Sequence, residues 1–389
     1  MLLILDNYKQ SLPVIKSLSL RNIPFILGSS VFLDPICSSK YCKEVWRHPD
    51  LENPQHFFTA LDALLKQRKE IDAIFPIGEL ALNFLAENYL HFSQRAKLIM
   101  PSSDNVLLCL NKSHCIDFVA KLAIPYANSH LIKNKSELKS IAEETGFPVI
   151  FKPNFTVDAL VNKKAVIVHN VQQLSILDQQ WDGAQPLLVE RYIEGKRVSV
   201  NLVVQQGELI SYLENQALYT QEMDGTGFTI RTISRKPTLI LQKYASLLVK
   251  KLNYNGIINI QFMYSSAQQK YFFMEINPRM PATTAFLYKM GIDVAAYSLH
   301  LSDYYLYSEF SKQTNKKQGV LCNWFYGDVV AFSKNLFNGK FTAKGAMVTL
   351  GYIFKSVIAS DIDQIWSKHD PKPTIYTFMR PFIVRLMGK

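Results

Sequence analysis

The chain has 389 residues, 48% of them hydrophobic, and a formal net charge of +11. That length exceeds one ordinary domain, and that apolar share excludes wholesale disorder, so two or three packed units are expected. The basic balance favours anionic partners, such as nucleotide phosphates or an acidic membrane surface. No aromatic–basic recognition motif accompanies it, so no nucleic-acid partner is expected.

Five cysteines, Cys37, Cys42, Cys109, Cys115 and Cys322, form no CxxC pair and no zinc-ligand spacing. They read as free thiols of a reducing cytosol. The N-terminal apolar run is too short for a signal segment and is interrupted by Asp6. It reads as a buried strand. A membrane span needs about 18 uninterrupted apolar residues. The nearest approach, Gly345 to Ala359, is broken by Lys355. The expected location is therefore cytoplasmic.

In chain order, Leu2–Leu5 reads as a strand, Lys9–Arg21 as a helix and Pro24–Leu27 as a strand. Phe57–Lys66 has helical spacing. Ala73–Pro76 is a strand that runs through a glycine into a helix, Glu79–Asn88, and Leu98–Met100 closes the set. Such alternation implies a parallel sheet covered on both faces. A helix, Lys112–Leu122, leads into a small α/β unit. There Ser136 caps a helix that ends at Gly146, and Pro148–Pro153, Val166–Val168 and Leu187–Glu190 are strands. Longer alternating strands follow: Val198–Val204 and Leu209–Leu213 around Gln-Gln-Gly-Glu, then Gly256–Tyr264 and Tyr271–Asn277 after a helix from Pro237 to Leu252. The expected units are 1–110, 111–193, 194–310 and a basic extension, 311–389, set off by the polar stretch Ser311–Gln318.

The string GIINIQFMYSSAQQKYFFMEINPRM carries the most chemistry. Gln261 and Glu275 fall on adjacent antiparallel strands, and Asn277 shares a face with Glu275 because side chains alternate. Three oxygen ligands converge there, as magnesium prefers when substrate phosphates complete its shell. Arg279 follows and can neutralise charge on a transferring phosphoryl group. In GFPVIFKP, Lys152 ends a buried strand and can extend toward phosphate. In LLVERYIEGKRVSV, Glu190 can accept from an adenine amino group while Arg191 and Ile193 present backbone.

Together and in this order, these three strings resemble the ATP-grasp superfamily over about residues 1–310. The wording is nearest to the carbamoyl-phosphate synthetase large chain and its carboxylate–amine ligase relatives. The resemblance implies an α/β fold with a parallel-sheet first domain, a small lid lobe and a central antiparallel lobe, with ATP between the lobes. It implies Gln261, Glu275 and Asn277 as ligands of Mg2+, with Mn2+ as a substitute. It implies Lys112 and Lys152 on the phosphates and Glu190–Ile193 on adenine. The implied activity is ATP-dependent ligation, in which a carboxylate is phosphorylated and an amine then displaces phosphate. The carboxylate and the amine are unnamed, and a homodimer is compatible with the reading.

Two departures from the family pattern stand out. The segment after Lys152, NFTVDALVNKKAVIV, has no glycine where relatives carry a glycine-rich phosphate loop. Thr156, Asn162, Lys163 or Lys164 are its candidate contacts. Arg197 stands where many relatives have a Glu on the ribose, and an Arg cannot accept those hydrogen bonds. These departures keep a second reading open, that of a catalytically degenerate nucleotide-binding or scaffold protein.

On the acceptor side, Asn215–Pro237 resembles the family's variable substrate-facing segment, with a mobile turn at Asp224, Gly225 and Gly227. Arg231 and Arg235 are candidates to receive a carboxylate or acyl phosphate. Glu79 either meets the substrate amine or serves its helix dipole. The tail, with Phe378, Met379 and Phe382 beside Arg380, Arg385 and Lys389, resembles tails of ATP-grasp proteins of cell-envelope and polysaccharide synthesis. It either lies on the inner membrane face or docks on the protein's own core.

Overall fold

A computed structural model describes residues 1–222, 224–314 and 317–387. Lys389 of the basic tail and residues 315 and 316 of the polar stretch lie outside them.

The first domain alternates β1 (Leu2–Leu5), α1 (Ser11–Leu20), β2 (Phe25–Ser29), β3 (Val45–Arg47), α2 (Pro54–Gln67), β4 (Ala73–Pro76), α3 (Glu79–Glu87), α4 (Tyr89–Ser93) and β5 (Lys97–Leu98). Its sheet is parallel throughout, in the order β3-β2-β1-β4-β5. β1 is buried on both faces, which is why it reads as a continuous apolar run. Leu2 and Ile4 pack with Val14 and Leu18 of α1. Leu3 and Leu5 pack on the other face with Phe57 and Phe84.

α5 (Ser103–Leu110) and α6 (Lys112–Ala120) lead to the small lobe. That lobe contains β6 (Ser129–Ile132), α7 (Leu138–Thr145), β7 (Val149–Pro153), β8 (Val166–Val168), α8 (Val171–Gln180) and β9 (Leu187–Arg191), its antiparallel sheet ordered β6-β9-β7-β8. Gly146 ends α7 with φ 81° as expected, but the start is organised by Asn134 and Glu137 rather than Ser136. Glu137 accepts from the Lys133 and Asn134 N–H groups, which lie before Ser136. α6 packs mainly against the next lobe: Cys115, Ile116 and Val119 share a core with Val198 and Ile260.

The central lobe holds β10 (Lys196–Gln205), β11 (Glu208–Thr220), β12 (Thr229–Arg235), α9 (Leu239–Lys251), β13 (Gly256–Ser265), β14 (Lys270–Asn277), α10 (Thr284–Lys289) and α11 (Val294–Leu301). β15 (Gln313–Thr314), β16 (Leu321–Asn323), α12 (Phe325–Phe337), α13 (Ala343–Ala359), β17 (Ile362–Asp363) and α14 (Lys372–Leu386) follow. The substrate-facing segment is largely strand, with a turn at Asp224, Gly225 and Gly227 where one is expected. β11 and β12 pair across it, and Asp224 stitches the intervening turn by accepting from Thr226. The C-terminal strands join the same sheet, β16 on β12, β17 on β16 and β15 on β11. The extension therefore widens the lobe.

The sheet has two chemically different faces. Val198, Val200, Ile258, Ile260 and Phe262 point toward α9 and are buried. Their neighbours Arg197, Ser199, Asn201, Asn259 and Gln261 point the other way. Alternation in the sequence thus creates one apolar floor and one polar ceiling.

The first domain contains a constrained turn between β1 and α3. Asp6, at the end of β1, adopts φ 61° and accepts from the N–H groups of Leu80 (3.1 Å) and Ala81 (3.4 Å) at the start of α3. A Cβ on Gly78 would lie 2.0 Å from Asp6 Oδ2. We expect Gly78→Ala to displace Asp6 from both N–H groups and cost about 1–3 kcal/mol, as overpacking does. Urea unfolding measures it, and an unchanged midpoint would contradict this account.

Candidate active site on the polar face of the central sheet

β13 and β14 pair with Gln261 opposite Glu275 and Asn259 opposite Asn277. All four side chains share the polar face. A chain of amides then runs away from Gln261 across the sheet. Gln261 donates to Asn259 (3.3 Å), Asn259 to Asn201 (2.9 Å), Asn201 to Asn215 (2.7 Å) and Asn215 to Thr232 (2.6 Å). Thr232 ends the chain by donating to the Gln216 carbonyl at 2.9 Å. Each NH2 is spent on the next residue, so the Gln261 carbonyl oxygen stays available as a ligand. Asn277 donates to Glu275 Oε1 at 3.0 Å, which leaves Oε2 available. Sequence reasoning named Gln261 at one end of this network and missed Asn259, Asn201, Asn215 and Thr232 as its members. For Asn201 and Asn259 the signal was present, since each is a polar residue among apolar neighbours.

The electrostatics single out Glu275. Burial pushes its carboxyl up, but the Asn277 hydrogen bond and the charges of Lys112, Lys152 and Arg197 outweigh burial and hold it below the ordinary carboxylate range. One carboxylate thus faces three cations. Among the described residues, no cluster of three or more His, Cys, Asp or Glu offers a self-sufficient metal cage. One carboxylate and two amide oxygens fit a magnesium ion that arrives with phosphates.

The two predicted lysines are buried and adjacent. Lys112, at the start of α6, donates to the Pro153 carbonyl at 2.8 Å. Lys152, at the end of β7, makes a 2.5 Å ion pair with Glu190 of β9. Burial lowers the Lys112 pKa from 10.5 to about 8, with Glu275 opposing and Lys152 adding to the shift. Arg191 is exposed and its N–H is spent on the Asn128 carbonyl. Ile193 follows in the short linker between β9 and β10.

Arg279 and Arg231 have different settings. Arg279 donates to Glu79 at 2.9 and 2.6 Å and to Asn277 Oδ1 at 3.4 Å, so it clamps the first domain to the β13–β14 hairpin. Glu79 is therefore engaged by a protein cation. Arg231, expected on the substrate, is held instead by a bidentate pair with buried Asp328 of α12 at 3.1 and 2.7 Å. Arg235 reaches the Tyr271 hydroxyl at 3.2 Å. Arg197 lies over the sheet and donates to the Gly227 carbonyl and the Thr229 hydroxyl. It offers no acceptor to a ribose.

The glycine-free loop is nonetheless a tight turn. Leu160 and Lys163 exchange backbone hydrogen bonds around Val161 and Asn162, whose φ values are 50° and 59°. A branched residue in that region costs about 1–2 kcal/mol. Lys164 folds back and donates to the carbonyls of Thr156 (2.6 Å) and Asp158 (3.2 Å). Lysine, rather than glycine, organises this segment.

A small lid lobe facing an antiparallel lobe, with a parallel-sheet domain behind, is the ATP-grasp architecture. Residues 111–306, just over half the chain, match the family described as "Carbamoyl-phosphate synthase L chain, ATP binding domain". The chain belongs to that family. It is 26% identical over 181 residues to the arginine-specific carbamoyl phosphate synthase large chain of Geobacillus stearothermophilus, covering 45% of this chain and 17% of that one. It is 22% identical over 313 residues to the large chain from Agathobacter rectalis, covering 73% and 29%. The chain thus spans less than a third of these relatives. Two solved structures share the fold. The biotin carboxylase domain dimer of Hydrogenobacter thermophilus 2-oxoglutarate carboxylase, in complex with MgADP and bicarbonate, superposes with TM-score 0.64 and 18% identity, covering 82% of this chain and 72% of that one. N5-carboxyaminoimidazole ribonucleotide synthetase with ADP superposes with TM-score 0.65 and 15% identity, covering 92% and 96%.

The Lys112 shift makes a pH prediction. Below about 8 the lysine is charged in both folded and unfolded chains. Between about 8 and 10.5 the folded chain has lost a proton that the unfolded chain keeps, so this group makes stability rise with pH there. Phosphate binding has the opposite dependence, because it needs the charge. Mg-nucleotide affinity should fall as pH rises through about 8, with proton uptake on binding, and Lys112→Met should flatten the profile. Titration calorimetry in buffers of different ionisation enthalpy reads both effects. No proton uptake, or an unchanged profile in the variant, would contradict the assignment.

Proposed function

We propose that this protein is an ATP-dependent carboxylate–amine ligase. The observation that carries this reading is Glu275, facing Lys112, Lys152 and Arg197 beside two amide oxygens. Lys152 is paired with Glu190 and Arg279 with Glu79, so four cations face three carboxylates, and an anionic Mg-nucleotide suits that excess. Gln261, Glu275 and Asn277 would hold the metal, which neutralises charge on the phosphates when bound. Lys112 and Lys152 would hold phosphate oxygens, Lys152 by leaving Glu190, which is then free to accept from the adenine amino group. Arg279, already oriented by Glu79, stands at the phosphoryl end. Arg231 carries no catalytic role in this proposal, because Asp328 occupies it.

The C-terminal helices support a second element, contact with an anionic membrane surface. α14 docks on the first domain, with Arg380 on the Phe32 carbonyl and Asp370 on Ser39. α13 is different. Of its residues only Ile353 is buried, and Met347, Phe354 and Ile358 are 67%, 70% and 71% exposed on one side of the helix. Lys344 and Lys355 border that side. No helix among the described residues is long and apolar enough to cross a membrane. Contact would therefore be peripheral.

Phosphate release with a panel of amino acids and uronic acids tests the ligase reading. Turnover with at least one carboxylate–amine pair is expected, falling about 100-fold or more in Lys152→Met with the fold intact. Nucleotide binding without turnover on any pair would favour the degenerate reading. Vesicle flotation tests the second element: binding to anionic but not zwitterionic vesicles is expected, and Phe354→Glu should abolish it. Equal flotation of variant and parent would remove it.

A further inference from the structure

A cavity of about 730 Å³ lies between α1, α10 and the C-terminal segment, away from the nucleotide site. Lys16 of α1, Lys289 of α10 and Lys368 line it. The charges that bear on Lys16 are Lys289 and Lys40, and both are positive. Lys16 also sits 5.1 Å from the centre of the Tyr288 ring. No ion pair to a carboxylate is found for Lys16 or Lys289 among the described residues.

Three aspartates also line the cavity, each hydrogen-bonded to neutral protein donors. Asp363 accepts from the N–H groups of Phe325, Ile365 and Trp366. Asp370 accepts from Ser39 and the Lys40 N–H, and Asp361 from the Leu321 N–H. Gln364, 2% exposed, also lines the cavity, and neither of its amide atoms has an oxygen or nitrogen partner. Lys16 is half-buried and Lys289 exposed, and the two repel each other with no carboxylate paired to either among the described residues.

Phe325, Val357 and Trp366 also line the cavity, yet stand 36%, 43% and 54% exposed. Val357 belongs to α13, whose outer side continues through Phe354 and Ile358.

We propose that this cavity binds an anionic amphiphile bearing a phosphate. The head lies between Lys16 and Lys289. The apolar chain runs past Phe325 and Val357 toward the outer side of α13. This extends the membrane reading but does not require it, because the same chemistry is offered by a bilayer lipid and by a soluble amphiphilic phosphate.

The experiment titrates the full chain with short-chain phosphatidic acid below its critical micelle concentration, with inorganic phosphate, and with anionic vesicles. Saturable one-to-one binding of the short-chain lipid is expected, about tenfold or more tighter than inorganic phosphate. Lys16→Gln/Lys289→Gln should weaken it about tenfold or more. Val357→Trp, which keeps both lysines and fills the cavity at Val357, should weaken it as well. Mg-nucleotide binding should stay unchanged in both variants, which separates this site from the ligase site and shows that the variants fold. If the short-chain lipid does not bind, or binds equally to the parent and both variants, the proposal fails. If only vesicles bind and Phe354→Glu alone abolishes that, the surface of α13 is the contact and the cavity assignment is wrong.

Discussion

A buried carboxylate surrounded by lysine and arginine is ordinarily stabilised by pairing with one of them. Glu275 instead hydrogen-bonds to a neutral amide, Asn277, while Lys112, Lys152 and Arg197 act on it through space. Each lysine has a local protein acceptor, Lys112 a carbonyl and Lys152 the carboxylate of Glu190. The arrangement costs stability, because Lys112 is charged in a place that favours the neutral form. Much of the surrounding structure reads as what holds this arrangement in place. The amide chain fixes Gln261, the Glu79–Arg279 pair fixes the end of the hairpin, and Asp6 fixes the start of the helix that carries Glu79.

The fold was legible where short-range periodicity decides it. β1 and β4 are apolar runs bounded by turns, and both lie in the parallel sheet at the expected residues. The hairpin of β13 and β14 was legible because alternation alone places Glu275 and Asn277 on one face. Contacts between distant residues were not. Glu79 and Arg279 are 200 positions apart, and Arg231 and Asp328 are 97 apart. No local pattern announces that an arginine in a loop-like segment will be claimed by a helix beyond the boundary. The strands that join the extension to the sheet have only two or three residues, too few to show a period.

The extension changes what the rest of the molecule can do. Through β16 and Asp328 it removes Arg231 from the acceptor side. Through Trp324 it covers Lys9, a buried lysine whose ammonium sits 3.6 Å from the indole centre and has no hydrogen-bond partner. Burial lowers the pKa of Lys9 to about 7, with Cys322 and Asp363 opposing.

The central claim is that Glu275 recruits magnesium only together with nucleotide. Titration calorimetry with a non-hydrolysable ATP analogue, with and without Mg2+, measures this in the parent chain and in Glu275→Gln. The account predicts tight binding in the parent only with the metal, no binding of Mg2+ alone, and loss of the metal dependence in the variant with its unfolding curve preserved. Equal affinity with and without metal in the parent, or full metal dependence in the variant, would contradict it.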